Sequence, residues 1–301
     1  MARKKASSMA LVIFAVCMVS YSGPMVKGAL NAGATPCSVA ALRMLAAALL
    51  ILPFELRQCA RKKQPLRATG REWLLTLLAA VFLAGHYLTW ITSLTGTSTF
   101  ASVALVCTQP LFVSVFSYLL FGEKTPRRAV PGAALAVLGA VVIAVCGSQG
   151  PQANGGEALK SNLLALAGAV LMAAHWLTGR EIRRSMAAEV YTPSLYFVTA
   201  ALLGLCLPFM GGFQMPMAAL PYMAGLVIGS TLLGHAVFAY ALSGVSANVV
   251  SFALLGEPVG AMIFSMIFFG EVPTVQVALG GALTLAGLAL YLWACGRSSA
   301  E

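Results

Sequence analysis

Of 301 residues, 59% are hydrophobic and only 9% charged, and the mean hydropathy is +0.87. Folded as a water-soluble globule, such a chain would leave far too much apolar surface in water, so the composition excludes a soluble domain and points to a bilayer. The net charge of +10 suggests nucleic acid at first sight, but the basic residues sit in short stretches between apolar segments and form no continuous basic face, so no nucleic-acid partner is expected.

A spanning helix needs roughly 20 mostly apolar residues. Ten such segments follow one another between Gly, Pro or charged boundaries: 9–30, 37–56, 73–93, 100–121, 129–146, 162–178, 193–210, 220–241, 249–269 and 275–294. They are numbered here as spans 1 to 10. The start MARKK followed by an apolar run has the outline of a signal peptide, but no small-x-small site precedes a polar mature start, and the segment reads as span 1. With the start of the chain placed in the cytoplasm, sixteen of the nineteen Lys and Arg fall on that side: Arg3, Lys4 and Lys5; Arg57, Arg61, Lys62, Lys63, Arg67 and Arg71; Lys124, Arg127 and Arg128; Arg180, Arg183 and Arg184; and Arg297. Lys160 alone lies in an opposite loop, and Lys27 and Arg43 lie within spans. This asymmetry predicts a multi-pass protein of the cell inner membrane with both termini cytoplasmic. The seven Cys show no CxxC spacing and read as small core residues, so no metal site and no cofactor are expected.

The chain also repeats itself. A shift of 148 residues lays Pro110 on Pro258, Gly122 on Gly270, Glu123 on Glu271, Gly132 on Gly280 and Gly139 on Gly287, and QPLFVSVFSYLLFGE runs against EPVGAMIFSMIFFGE without a gap. Upstream the shift becomes 149, pairing GHYLTW (85–90) with GHAVFA (234–239). The expected organisation is two repeats, 1–150 and 155–301, of five spans each. An odd number of spans forces the second repeat to insert upside down, and the loops record it: the connection between spans 2 and 3 holds six basic residues, its counterpart between spans 7 and 8 none. The predicted fold class is an all-α integral membrane protein, ten transmembrane helices in two inverted five-helix repeats. Such repeats characterise alternating-access transporters, with the site near the midplane between them.

SYSGPMVKGALNAGATPCSVAALRMLAAALL (20–50), the two Pro-to-Gly-Glu blocks of spans 4 and 9, and the Gly-rich runs PGAALAVLGAVVI and LGGALTLAGLALYL together resemble the EamA-type members of the drug/metabolite transporter superfamily. The resemblance runs over essentially the whole chain. It departs in two places: Tyr21 stands where the family often has Trp, and Ala200 falls where a second-repeat match to Arg43 would lie. The resemblance implies a ten-helix carrier of small metabolites or drugs, commonly an exporter of amino acids or related compounds.

Charges inside spans are costly, about 2.5–3.5 kcal/mol each at the bilayer centre on insertion scales, and usually face a cavity or one another. Glu257 reads as a proton carrier or counter-charge for a substrate amine, or else as a structural group, either protonated and hydrogen-bonded to a neighbouring helix or paired with Arg43. Its repeat equivalent is Gln109. Arg43 is either a bidentate carboxylate ligand or a donor to carbonyls of span 1, and Lys27 is expected to snorkel to the outer interface. His86, His235 and His175 are either proton relays or hydrogen-bonded structural groups. Tyr87, Trp90, Trp176 and Tyr240 either line an organic-substrate cavity or pack helices. Pro110 and Pro258, with Pro24 in span 1, are helix-breaking positions; each removes a backbone donor. Glu123 and Glu271 are expected to cap the helices that follow them.

A membrane enzyme is the main rival. The chain has no Asp for paired-carboxylate chemistry, and Ser230 and His235 lie at i and i+5, about 140° apart around one helix, a poor geometry for nucleophile and base. The expected function is therefore export of a small organic metabolite such as an amino acid by alternating access, with export of cationic drugs or quaternary amines as the alternative. The expected partners are a small-molecule substrate and the lipid bilayer, the protein being a monomer or a homodimer.

Overall fold

A computed structural model describes residues 11, 13–62, 68–146, 155–234 and 255–298. Among them the chain is helical throughout, without strands. Its helices are α1 (Ile13–Asn31), α2 (Pro36–Lys62), α3 (Gly70–Ser93), α4 (Thr99–Val106), α5 (Gln109–Phe121), α6 (Val130–Cys146), α7 (Gly155–Ile182), α8 (Ala188–Cys206), α9 (Leu220–Ala224), α10 (Glu257–Phe269) and α11 (Val275–Ser298). The chain of α9 continues as wider π-helical turns over Gly225–Gly234. Eight helical segments are long and apolar enough to cross a membrane, at the places expected for spans 1 to 7 and 10. Met217–Leu233 and Glu257–Phe269 are shorter apolar helices. Expected spans 8 and 9 run partly into 235–254, outside the described residues.

Local chemistry sets the boundaries. Thr69 and Glu72 form a reciprocal capping box at the start of α3, and the Ser98 hydroxyl accepts the Ala101 amide at the start of α4. Gly122 and Gly270 end α5 and α10 in the left-handed conformation, at φ 69° and 64°, where a Cβ would be strained. In both cases the next residue's amide, that of Glu123 or Glu271, reaches back to a serine carbonyl, Ser117 or Ser265, at 3.3 Å.

Two expectations about the spans need correction. Span 4 is not one continuous helix: it turns at Cys107–Thr108, so that Gln109 begins α5. Glu257 is not in the middle of a helix either, since Leu255–Gly256 form a turn and Glu257 is the first residue of α10. Pro110 and Pro258 are the second residues of their helices, where the missing amide hydrogen would have had no intrahelical acceptor. Proline therefore starts these helices.

Glycine lets α6 and α11 touch backbone to backbone. A methyl at Gly132 would lie 2.8 Å from the Gly287 carbonyl oxygen, and one at Gly280 would lie 3.0 Å from that of Gly139. The pairings run in opposite order, so the helices are antiparallel. α3 and α7 form a second antiparallel seam, held by reciprocal histidines: His86 Nδ1 donates to the Gly168 carbonyl at 2.9 Å and His175 Nδ1 to that of Ala79 at 3.0 Å. Both bonds join the same two helices, two helical turns apart.

The two ends of the bundle are fastened differently. At one end Lys62 pairs with Glu189, Arg71 and Arg184 with Glu181, and Arg180 with Glu123. Glu123 thus engages Arg180 instead of capping the next helix, and that guanidinium holds its carboxyl below the usual carboxylate range. These pairs are largely exposed and add little stability. At the other end the polar groups are more buried. The Lys27 ammonium does not snorkel outward; it donates to the Leu94 carbonyl at 2.6 Å and to that of Thr97 at 3.3 Å. Asn162, fully buried, accepts from the Thr97 hydroxyl at 2.7 Å and donates to the Ile143 and Ala144 carbonyls. Glu271 accepts the Thr99 amide at 2.8 Å and its hydroxyl at 2.7 Å, so it caps α4 and not the helix that follows it.

The glycine seam predicts that Gly139→Leu, forced against the backbone of Gly280 and Thr284, destabilises the protein by about 1–3 kcal/mol. Gly204→Ala, with nothing within 4 Å, should leave the melting temperature in detergent unchanged or raised. Replacing Asn162 by Leu strands the Thr97 hydroxyl and should cost about 1–2 kcal/mol. In a double-mutant cycle with Thr97→Val, read by thermal unfolding, the two losses should be less than additive.

Candidate functional site

Where α4 passes into α5 and the chain enters α10, the helices leave a cavity of about 540 Å³, within the range of small-molecule sites. It extends toward the end at which α5, α7 and α11 finish. The turns of both interrupted segments border it through Cys107 and Leu255, followed by Gln109, Pro110 and Glu257. A carboxylate at the first position of a helix sits favourably against the positive end of the dipole.

Arg43 enters from α2 and is 3% exposed. Its Nε donates to Thr231 Oγ1 at 3.1 Å and its Nη1 to Ser22 Oγ at 3.2 Å. Of the two structural alternatives posed above, then, Arg43 uses a hydroxyl of α1 where carbonyls were expected, and it makes no ion pair with Glu257 among the described residues. Its guanidinium carbon lies 5.0 Å from the centre of the Tyr87 ring and 5.9 Å from that of Trp90. Trp90 in turn stacks on His86 at 5.8 Å with 12° between the planes.

Of the residues singled out in the sequence, Glu257, Arg43, Gln109, His86, Tyr87, Trp90, Trp176 and Pro110 border this cavity. His86 also serves the α3–α7 seam: a carbonyl only accepts, so Nδ1 carries the proton and Nε2 is the nitrogen left over. His175 lies off the cavity, its ring committed to Ala79. Pro24 is buried in α1 and Pro258 in α10, neither of them lining it. His235 and Tyr240 lie outside the described residues.

Some lining groups were missed or misread in the sequence. Ser22 and Met172 line the cavity, as do Tyr291 and its hydrogen-bond partner Ser114. Ser230, weighed above only as a nucleophile, is 1% exposed and lines it too. A hydroxyl one or two residues from a glycine in an apolar run was the available signal, but such residues are equally common at tight helix contacts. Trp90 Nε1, Gln109 Oε1 and Ser230 Oγ have no hydrogen-bond partner among the described residues. A buried donor, a buried acceptor and a hydroxyl without protein partners leave the cavity equipped to bind something polar.

The profile of the EamA-like transporter family matches residues 6–145 and 159–293. A "Probable terminal-alkyne amino-acid exporter" of Streptantibioticus cattleyicolor is 28% identical over 188 residues, 62% of this chain and 61% of that protein, so the match spans less than two thirds of the relative. An "Uncharacterized transporter" of Archaeoglobus fulgidus is 25% identical over 231 residues, 74% of this chain and 78% of that one. A solved crystal structure shares the fold with a TM-score of 0.65 at 19% identity, covering 97% of this chain and 99% of its own. With matches extending over most of its length, this multi-pass membrane chain belongs to the EamA-like transporter family.

Proposed function

We propose that the protein is an alternating-access exporter of small zwitterionic metabolites such as amino acids, working in a bacterial-type inner membrane with both termini cytoplasmic. The observation that carries this reading is the cavity's charge arrangement: a carboxylate and a guanidinium border the same space and do not neutralise each other by a direct ion pair. A substrate bearing an amine and a carboxylate can meet both, while Gln109, Trp90 and Ser230 supply further acceptor and donor groups. The exporter name of the Streptantibioticus relative agrees with this substrate class.

The ten-span, inverted-repeat architecture is part of the same proposal, with repeats 1–150 and 155–301. The glycine seam supports it: Gly132 meets Gly287 and Gly139 meets Gly280, and the shift of 148 residues turns the first contact into the second with the partners exchanged. A two-fold relation between antiparallel repeats requires that exchange. The unlike ends of the bundle support alternating access, since the Lys27, Asn162 and Glu271 contacts close one end while the cavity extends toward the other. Glu257 is the residue that carries a proton or holds the substrate amine.

Flux measured in proteoliposomes, with radiolabelled amino acids and quaternary amines compared with and without a pH gradient, tests the reading. Amino-acid flux should exceed that of the amines. Glu257→Gln should lower it about tenfold or more, equivalent to losing one charge-assisted contact of about 1.5–3 kcal/mol. Unchanged flux and unchanged response to the gradient in Glu257→Gln would remove the carboxylate from the mechanism.

A further inference from the structure

Arg43 is held by two hydroxyl groups and two aromatic rings. Thr231, one of its tethers, donates its single hydroxyl hydrogen to the Leu226 carbonyl at 3.2 Å, five residues back in the π-helical turns, and so presents a lone pair to Arg43 Nε. Ser22, on α1, accepts from Nη1. Suspended between them, the guanidinium sits within cation–π range of Tyr87 and Trp90. The aromatic faces that would attract an organic cation therefore already hold a cation that belongs to the protein. Among the described residues these tethers use two of the five guanidinium N–H groups, which leaves three to meet an anion.

Resting on the reading of this cavity as the substrate site, we infer that Arg43 sets the charge selectivity of the carrier: it occupies the Tyr87–Trp90 face in place of a ligand cation and so excludes quaternary ammonium compounds. A zwitterion gains from the same residue, because its carboxylate meets the unused N–H groups while its amine is met by Glu257. A substrate that carries only positive charge finds the aromatic face filled and a like charge beside it. The selectivity is thus a matter of occupation as well as repulsion. Removing the guanidinium should turn the same cavity, with its rings and carboxylate intact, into an organic-cation site.

The test is binding of benzyltrimethylammonium to the purified full chain in detergent, followed by titration calorimetry, with phenylalanine as the zwitterionic comparison. Arg43→Gln should bind the quaternary amine at least about tenfold more tightly than the wild type and bind phenylalanine more weakly. Adding Tyr87→Leu to Arg43→Gln should abolish the gain for the amine. The inference is overturned if Arg43→Gln binds the amine no more tightly than the wild type, or if the gain survives loss of the Tyr87 ring, since charge removal alone would then account for it. Arg43→Met repeats the experiment with a neutral side chain of similar reach should the Gln variant not give a monodisperse, cooperatively melting protein. Because the readout is cation binding, the outcome is separate from that of the flux experiment: a wild type that moves no amino acid while Arg43→Gln gains the amine would overturn the export reading and leave this one standing.

Discussion

A guanidinium buried among apolar helices must be solvated by the protein itself. Arg43 meets that requirement with two hydroxyls and two aromatic faces, drawn from α1, α3 and the turns after α9. Much of the local architecture follows. The π-helical turns place Thr231 where its hydroxyl can both donate backward and accept from Arg43, and Ser22 faces the cavity from within α1. Because none of these partners is a carboxylate, the charge is held in position without being neutralised. The cavity keeps an electrostatic polarity that a direct Arg–Glu pair would have erased.

Around this centre the helices are joined by contacts of two kinds. Where close approach is needed, at the α6–α11 seam, side chains are absent and glycine backbones touch, the solution expected where lipid provides no hydrophobic drive for association. Where geometry must be held, at the α3–α7 seam, two histidines each donate to a carbonyl of the facing helix. His86 belongs to both the seam and the cavity wall, so its orientation is set by packing before any ligand arrives. The helix interruptions complete the site: each brings a polar first residue, Gln109 or Glu257, to the cavity at the start of a new helix, and proline in second position removes a donor that would otherwise lack an acceptor.

Family membership and geometry bear on different questions. The family places the chain among transporters, whereas the cavity supplies the chemical basis for a substrate class. In the proposed reading, the opposite charges, the polar atoms of Trp90, Gln109 and Ser230 that have no partner among the described residues, and the filled aromatic face suit a small zwitterion better than a bare organic cation. In the proposed alternating-access cycle the polar contacts of Lys27, Asn162 and Glu271 form the closure: they join elements distant in sequence through a few buried or half-buried hydrogen bonds that a rigid-body movement can break together.

The amino-acid sequence by itself determined the solvent, eight of the crossings, the glycines of the close seam and the paired prolines, because each is a local property: apolar length, the absence of a Cβ, the absence of an amide hydrogen. The same local signals located most of the charged and aromatic residues that border the cavity. Only the tertiary structure decided what those residues touch. That Lys27 turns inward to Leu94, that Arg43 chooses hydroxyls over carbonyls, that His175 serves a seam while His86 also faces the cavity, and that Glu271 caps α4 all depend on which acceptor a neighbouring helix offers. Hydropathy places a residue in the membrane, but a hydrogen bond is made to an atom, and the atoms in question lie 21 to 188 residues away along the chain.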